Sequence, residues 1–168
     1  NISIFKKKLK GELTVVISEK NFKISKVDNV DLIINKAKKY LKKYSLKDTV
    51  DLIKYSMEYN FNNFLVMPPA YFKGNTEEGV YNFYKNIILK NLKVKIILYN
   101  FEKLSSFLFS PKFVKKLVKD FPKNIIGVKD SSYNLFETLR IPNFLVFPGS
   151  EAKLLRGLEL GCAGCISA

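Results

Sequence analysis

The chain has 168 residues, 47% of them hydrophobic and 26% charged, enough for one globular domain with its own core and unlike a disordered tail. No run of about 18 uncharged apolar residues, secretory leader pattern or lipidation signal occurs, so a soluble, cytoplasmic protein with no membrane partner is expected. A formal net charge of +14 is the size of basic excess that nucleic-acid binding produces. Its lysines, however, recur singly on nearly every helical segment beside many Asn, Ile, Phe and Tyr, the drift of an AT-rich coding sequence. Solvated lysine faces are therefore expected in place of a nucleic-acid surface.

Ser45 and Asp48 suggest a capping box that opens a helix with the apolar stripe Val50, Ile53 and Met57. A short apolar run at 64–67 follows, and Tyr71 lies just past it. Thr76, Glu77 and Glu78 then place a cap and acidic residues ahead of Val80, Phe83 and Ile87. The next apolar run, 94–99, ends on Tyr99. Ser110-Pro111 reads as an N-cap with proline at the first helical position, backed by Val114, Leu117 and Phe121. Runs at 125–129 and 144–147 follow, then a helix over 151–160 carrying Leu154, Leu155 and Leu158, with Gly161 as its stop. A last run covers 165–168.

Apolar runs of four to six residues, bounded by Pro, Gly, Asn or Asp, read as buried parallel strands. Their alternation with helices leaves a doubly wound sheet or a (β/α)₈ barrel. Neither a Gly-x-Gly-x-x-Gly turn nor a phosphate-loop Gly-Lys-Ser/Thr is present, which disfavours the nucleotide-binding sheet. The fold class expected is α/β, a (β/α)₈ TIM barrel. Its strand ends would gather Tyr71, Tyr99, Lys129 and Gly149 at one mouth.

Lys129 closes an apolar strand, and desolvation of an amine there disfavours its charged form, leaving the neutral nucleophile that attacks a ketone. The plainer alternative is a lysine snorkelling from a strand end. Tyr99 ends the preceding strand and could shuttle protons, although a tyrosine at a core rim is commonly structural. Schiff-base chemistry needs both groups within reach of one carbon, so the pair is more specific than either member.

Four segments carry a family resemblance: Leu98-Tyr99-Asn100, Gly127-Val128-Lys129-Asp130-Ser131-Ser132, Phe147-Pro148-Gly149-Ser150, and Gly161-Cys162-Ala163-Gly164-Cys165-Ile166-Ser167. In order and spacing they resemble the dihydrodipicolinate synthase and N-acetylneuraminate lyase family over residues 45–168, with 1–44 a poorly matching part of the same single domain. The resemblance implies a homotetramer or dimer of barrels that makes or cleaves a carbon-carbon bond next to pyruvate. It implies no metal or organic cofactor, only a covalent imine between Lys129 and pyruvate. The partner substrate would be a small aldehyde or sugar acid. Tyr99 is similar to the proton-relay tyrosine, Tyr71 to the tyrosine lent by a neighbouring subunit, and Ile166 to the residue whose backbone contacts pyruvate.

Leu104 occupies the slot where synthases carry a carboxylate-binding arginine, and leucine there resembles the sialic-acid and sugar-acid branches. Before Gly11-Glu12, Leu9-Lys10 stand where the family places two threonines, and a third strand is missing before Ser45. A whole barrel needs about 250 residues. Five to six βα units are therefore expected, as a fragment, a damaged gene product or a subdomain. Cys162 and Cys165 fall where the family packs small residues, and lack the second pair a structural zinc would need. Two rival expectations stand beside the aldolase: a catalytically silent remnant of the family, and a basic nucleic-acid-binding protein.

Overall fold

A computed structural model describes residues 46–70 and 74–167. The sequence expectations for residues 1–45, for Tyr71 and for Ala168 lie outside them. Helix α1, Leu46–Glu58, buries Val50 and Ile53 and rests Met57 against the core, as its three-to-four-residue spacing requires. It ends where Asn60 turns left-handed at φ 65° and donates to the Met57 carbonyl. Strand β1, Asn63–Val66, follows.

Helix α2, Glu77–Lys90, starts on Thr76, whose hydroxyl accepts from the Gly79 N–H at 3.1 Å. Its buried stripe is Val80, Tyr84, Ile87 and Ile88, with Tyr84 in the central place and Phe83 only half-buried. Strand β2, Lys95–Asn100, leads into the single turn α3, Glu102–Ser105. Helix α4, Pro111–Asp120, is capped by Ser110 and buries Phe113, Val114 and Leu117. After strand β3, Ile125–Asp130, the chain crosses to strand β4, Leu145–Pro148, through turns instead of a helix. A 3₁₀ turn, Glu151–Lys153, and helix α5, Leu154–Glu159, complete the order.

The four strands form one parallel sheet in the order β1-β2-β3-β4, each step a crossover, as in one arc of a barrel. Alternation gives the sheet two faces. Val66, Ile96, Leu98, Val128 and Val146 belong to the core under the helices, whose aromatic part is Tyr84, Phe107, Phe109 and Phe113. The pairings Leu65↔Ile97, Ile97↔Gly127 and Tyr99↔Lys129 fall on the opposite face. Gly127 lets β3 and β4 approach there, since a Cβ on it would stand 2.6 Å from the Leu145 carbonyl oxygen.

Two expected elements differ. The leucines of α5 do not face the core: Leu154, Leu155 and Leu158 are 37%, 73% and 50% exposed, and Gly157 is the residue the helix buries. The cause is close packing on Pro148, whose Cγ would lie 2.9 Å from a Cβ at Gly157, so the helix touches the sheet through its glycine. The run at 165–168 is not a strand among the described residues. Ala163 and Ile166 donate to the Val146 and Pro148 carbonyls beside β4, but Gly164 at φ 146° interrupts the extended path.

Tyr84 is fully buried and donates its hydroxyl to the Val66 carbonyl at 2.8 Å; burial pushes its pKa well above the ordinary tyrosine value. Below about pH 10 the hydroxyl is protonated whether the chain is folded or not; above it the unfolded chain loses its proton first, so stability falls as pH rises. Tyr84→Phe is expected to cost about 1 kcal/mol at neutral pH and to flatten that alkaline decline, read from urea midpoints at several pH values. Gly127→Ala is expected to cost about 1–3 kcal/mol by overpacking the β3–β4 step, in the same assay.

Candidate active site

The ladder between β2 and β3 pairs Tyr99 with Lys129 and, one residue on, Asn100 with Asp130. Successive residues on a strand face opposite sides, so Tyr99 and Lys129 share one face while Asn100 and Asp130 share the other. Parallel neighbours stand about 4.8 Å apart, which brings each pair of side chains into contact.

Lys129 is 1% exposed, a rare condition for a lysine. Its Nζ donates to the Tyr99 hydroxyl oxygen at 3.3 Å and lies 4.3 Å from the centre of the Tyr99 ring. Among the described residues no carboxylate forms an ion pair with it. The amine thus sits against a phenol, with no anion to tie down its nitrogen.

Both residues line a half-open cleft of about 580 Å³, together with Phe101, Lys103, Ser131 and Gly149. Gly149 is required where it stands: a Cβ there would run into the Ser131 hydroxyl and come within 2.8 Å of the Ser131 Cα. Its N–H donates to the Asp130 carbonyl at 2.9 Å, which fixes the cleft floor to the end of β3.

On the opposite face, the Asp130 carboxylate accepts from the N–H groups of Tyr133, Leu135 and Phe136 at 2.8–2.9 Å and from the Asn100 side-chain amide at 2.8 Å. Asn100 also donates to the Asn134 oxygen at 2.7 Å and accepts from the Phe109 N–H at 3.2 Å, while Asn134 donates to the Phe109 carbonyl. Asp130 thereby gathers the 131–136 loop, with Tyr133 left-handed at φ 59°, into the wall that Ser131 presents to the cleft.

The structure brings Tyr99, Lys129 and Gly149 together. It leaves Leu104 43% exposed and off the cleft lining, on a turn whose Glu102 and Lys103 line the cleft and whose buried residue is Ser105. Ile166 is buried, and its N–H donates to the Pro148 carbonyl; it too is off the lining. Tyr71 is outside the described residues. Cys162 is buried with its thiol 3.6 Å from the Phe136 carbonyl, and burial pushes both cysteine thiols up. Sequence reasoning missed Asn100, Asp130 and Asn134. The available signal was a polar residue directly after each candidate catalytic residue, in the phase that faces the apolar core.

Parallel strands joined by crossovers, with a lysine and a tyrosine meeting at their C-terminal ends, define part of a (β/α)₈ barrel and its mouth. The chain belongs to the Dihydrodipicolinate synthetase family, whose model matches residues 41–168. It is 34% identical over 125 residues to a 2-dehydro-3-deoxy-D-gluconate/2-dehydro-3-deoxy-phosphogluconate aldolase of Picrophilus torridus, covering 71% of this chain and 46% of that protein. It is 31% identical over 128 residues to the 4-hydroxy-tetrahydrodipicolinate synthase of Thermus thermophilus, covering 73% and 42%. The solved 2-keto 3-deoxygluconate aldolase of Picrophilus torridus superposes with a TM-score of 0.66 at 32% identity, over 74% of this chain and 46% of that one. The chain thus spans less than half the length of these relatives. Their names give no support to the reading as a nucleic-acid-binding protein. Among the described residues no helix is long and apolar enough to cross a membrane.

Asp130→Ala removes the acceptor of four N–H donors and is expected to cost about 3 kcal/mol or more, read as a lowered urea midpoint.

Proposed function

We propose that the protein is a Schiff-base aldolase or lyase acting on a carbon-carbon bond next to pyruvate. The observation that carries this reading is a fully buried lysine whose Nζ meets a tyrosine hydroxyl, at 3.3 Å, on the wall of an open cleft. In the condensing direction the Lys129 nitrogen attacks the C2 carbonyl of pyruvate, and the carbinolamine loses water to give a protonated imine. Loss of a C3 proton yields the enamine, which adds to an aldehyde carbon; hydrolysis then frees the product and restores the amine. Cleavage of a sugar acid is the same path reversed. Tyr99 is placed to carry protons at each step. The imine itself serves as the electron sink, so the reading calls for no metal or organic cofactor. It also takes the intact protein as a cytoplasmic homo-oligomer.

Within this chemistry we favour a sugar acid as the substrate. The support for that choice is that Leu104 stands where synthases carry a carboxylate-binding arginine. Borohydride reduction in the presence of pyruvate is expected to leave a mass adduct on Lys129, absent from Lys129→Ala. An adduct on another lysine, or none, would sink the reading. Tyr99→Phe is expected to keep the adduct while turnover drops about 10²–10⁴-fold. Release of pyruvate from 2-dehydro-3-deoxy-D-gluconate tests the finer choice; trapping without such release would leave the general chemistry and remove the sugar acid.

A further inference from the structure

Lys129 and Tyr99 are held at a contact with little tolerance. At 3.3 Å the Nζ–hydroxyl pair stands near the outer limit of a hydrogen bond, so a widening of about 0.5 Å breaks it. Both residues are next to the last pair of their ladder, beyond which β2 turns into α3 and β3 into the 131–136 loop. Twisted strands splay where pairing stops, and at that last pair the amide of Asn100 is bonded to the carboxylate of Asp130 at 2.8 Å. One main-chain bond, from the Ser131 N–H to the Asn100 carbonyl at 2.9 Å, ties the same step.

Neither side chain of this bond is free to drift. Both are fully buried, and the remaining polar atoms of Asn100 are engaged by Asn134 and the Phe109 N–H, while the Asp130 oxygens hold three loop amides. We propose that Asn100, through its bond to Asp130, is a positioning residue that sets the separation of Lys129 and Tyr99 and so governs proton transfer on the imine. The inference rests on the Schiff-base reading and deepens it. Imine formation needs an accessible amine, whereas exchange of the pyruvate C3 proton also needs the Tyr99 oxygen within reach. In that exchange the C3–H bond breaks, its electron pair enters the enamine, and the proton passes to solvent by way of Tyr99; a deuteron returns by the same route.

The test uses the full-length protein with pyruvate in deuterium oxide. Two quantities are read: the fraction of Lys129 trapped by borohydride at equilibrium, and the rate of deuterium entry at C3. Their ratio counts only folded, imine-bearing molecules, so a loss of folded protein cancels. Asn100→Ala is expected to lower the ratio about 10- to 100-fold, the cost of misplacing a reacting group by about 1 Å. Asn134→Ala, which removes one partner of Asn100, should lower it less, and Val80→Ala, a core change under α2, should leave it at the wild-type value. A wild-type ratio in Asn100→Ala with imine still forming overturns the inference. If that variant does not fold, an unchanged ratio in Asn134→Ala overturns it instead. Absence of any imine in the wild type removes the Schiff-base reading itself, and this inference with it.

Discussion

The Asp130 carboxylate is the interaction on which the rest of the site depends. It is fully buried, and a buried carboxylate is tolerable only if every oxygen is satisfied; here four N–H donors at 2.8–2.9 Å do so. Three of those donors come from the loop after β3 and one from the end of β2. A single charge therefore does two things at once: it folds residues 131–136 into a cleft wall, and it ties together the two strand ends that carry Tyr99 and Lys129. Among the described residues no buried side-chain nitrogen or oxygen lacks a partner, so this polar network is closed.

Lys129 poses the opposite problem on the other face. Its Nζ is enclosed but, among the described residues, meets a ring face and a hydroxyl in place of a carboxylate. A structural buried lysine is normally paired with an acid, because leaving such a charge uncompensated is costly. Lys129 is enclosed with no such acid paired to it among the described residues. The acid nearest in sequence, Asp130, points away by strand alternation and is occupied with backbone amides. The site thus separates its anion from its amine by the thickness of one strand.

The periodic parts of the fold were legible in the sequence. Thr76 and Ser110 cap the helices they were expected to cap, and the runs ending on Tyr99 and Lys129 are parallel strands in the expected order, as in an incomplete (β/α)₈ barrel. Local chemistry decides such features: a hydroxyl before the first turn, or an unbroken apolar run between turn residues. The leucines of α5 misled for the same reason. Their spacing is helical, and the helix forms, but which side of it meets the sheet is set by how closely Gly157 can approach Pro148.

What the sequence by itself determined is the identity and order of the elements, and a lysine and a tyrosine at neighbouring strand ends, because these follow from periodicity and from residues adjacent in the chain. Only the tertiary structure decided that the two meet at 3.3 Å, that Leu104 lies off the cleft lining, and that Asn100 and Asp130 form the clamp behind them. Those outcomes depend on the strand register and on contacts across 30 residues of chain. No local pattern encodes a register; it is the packing of both faces of the sheet that selects it.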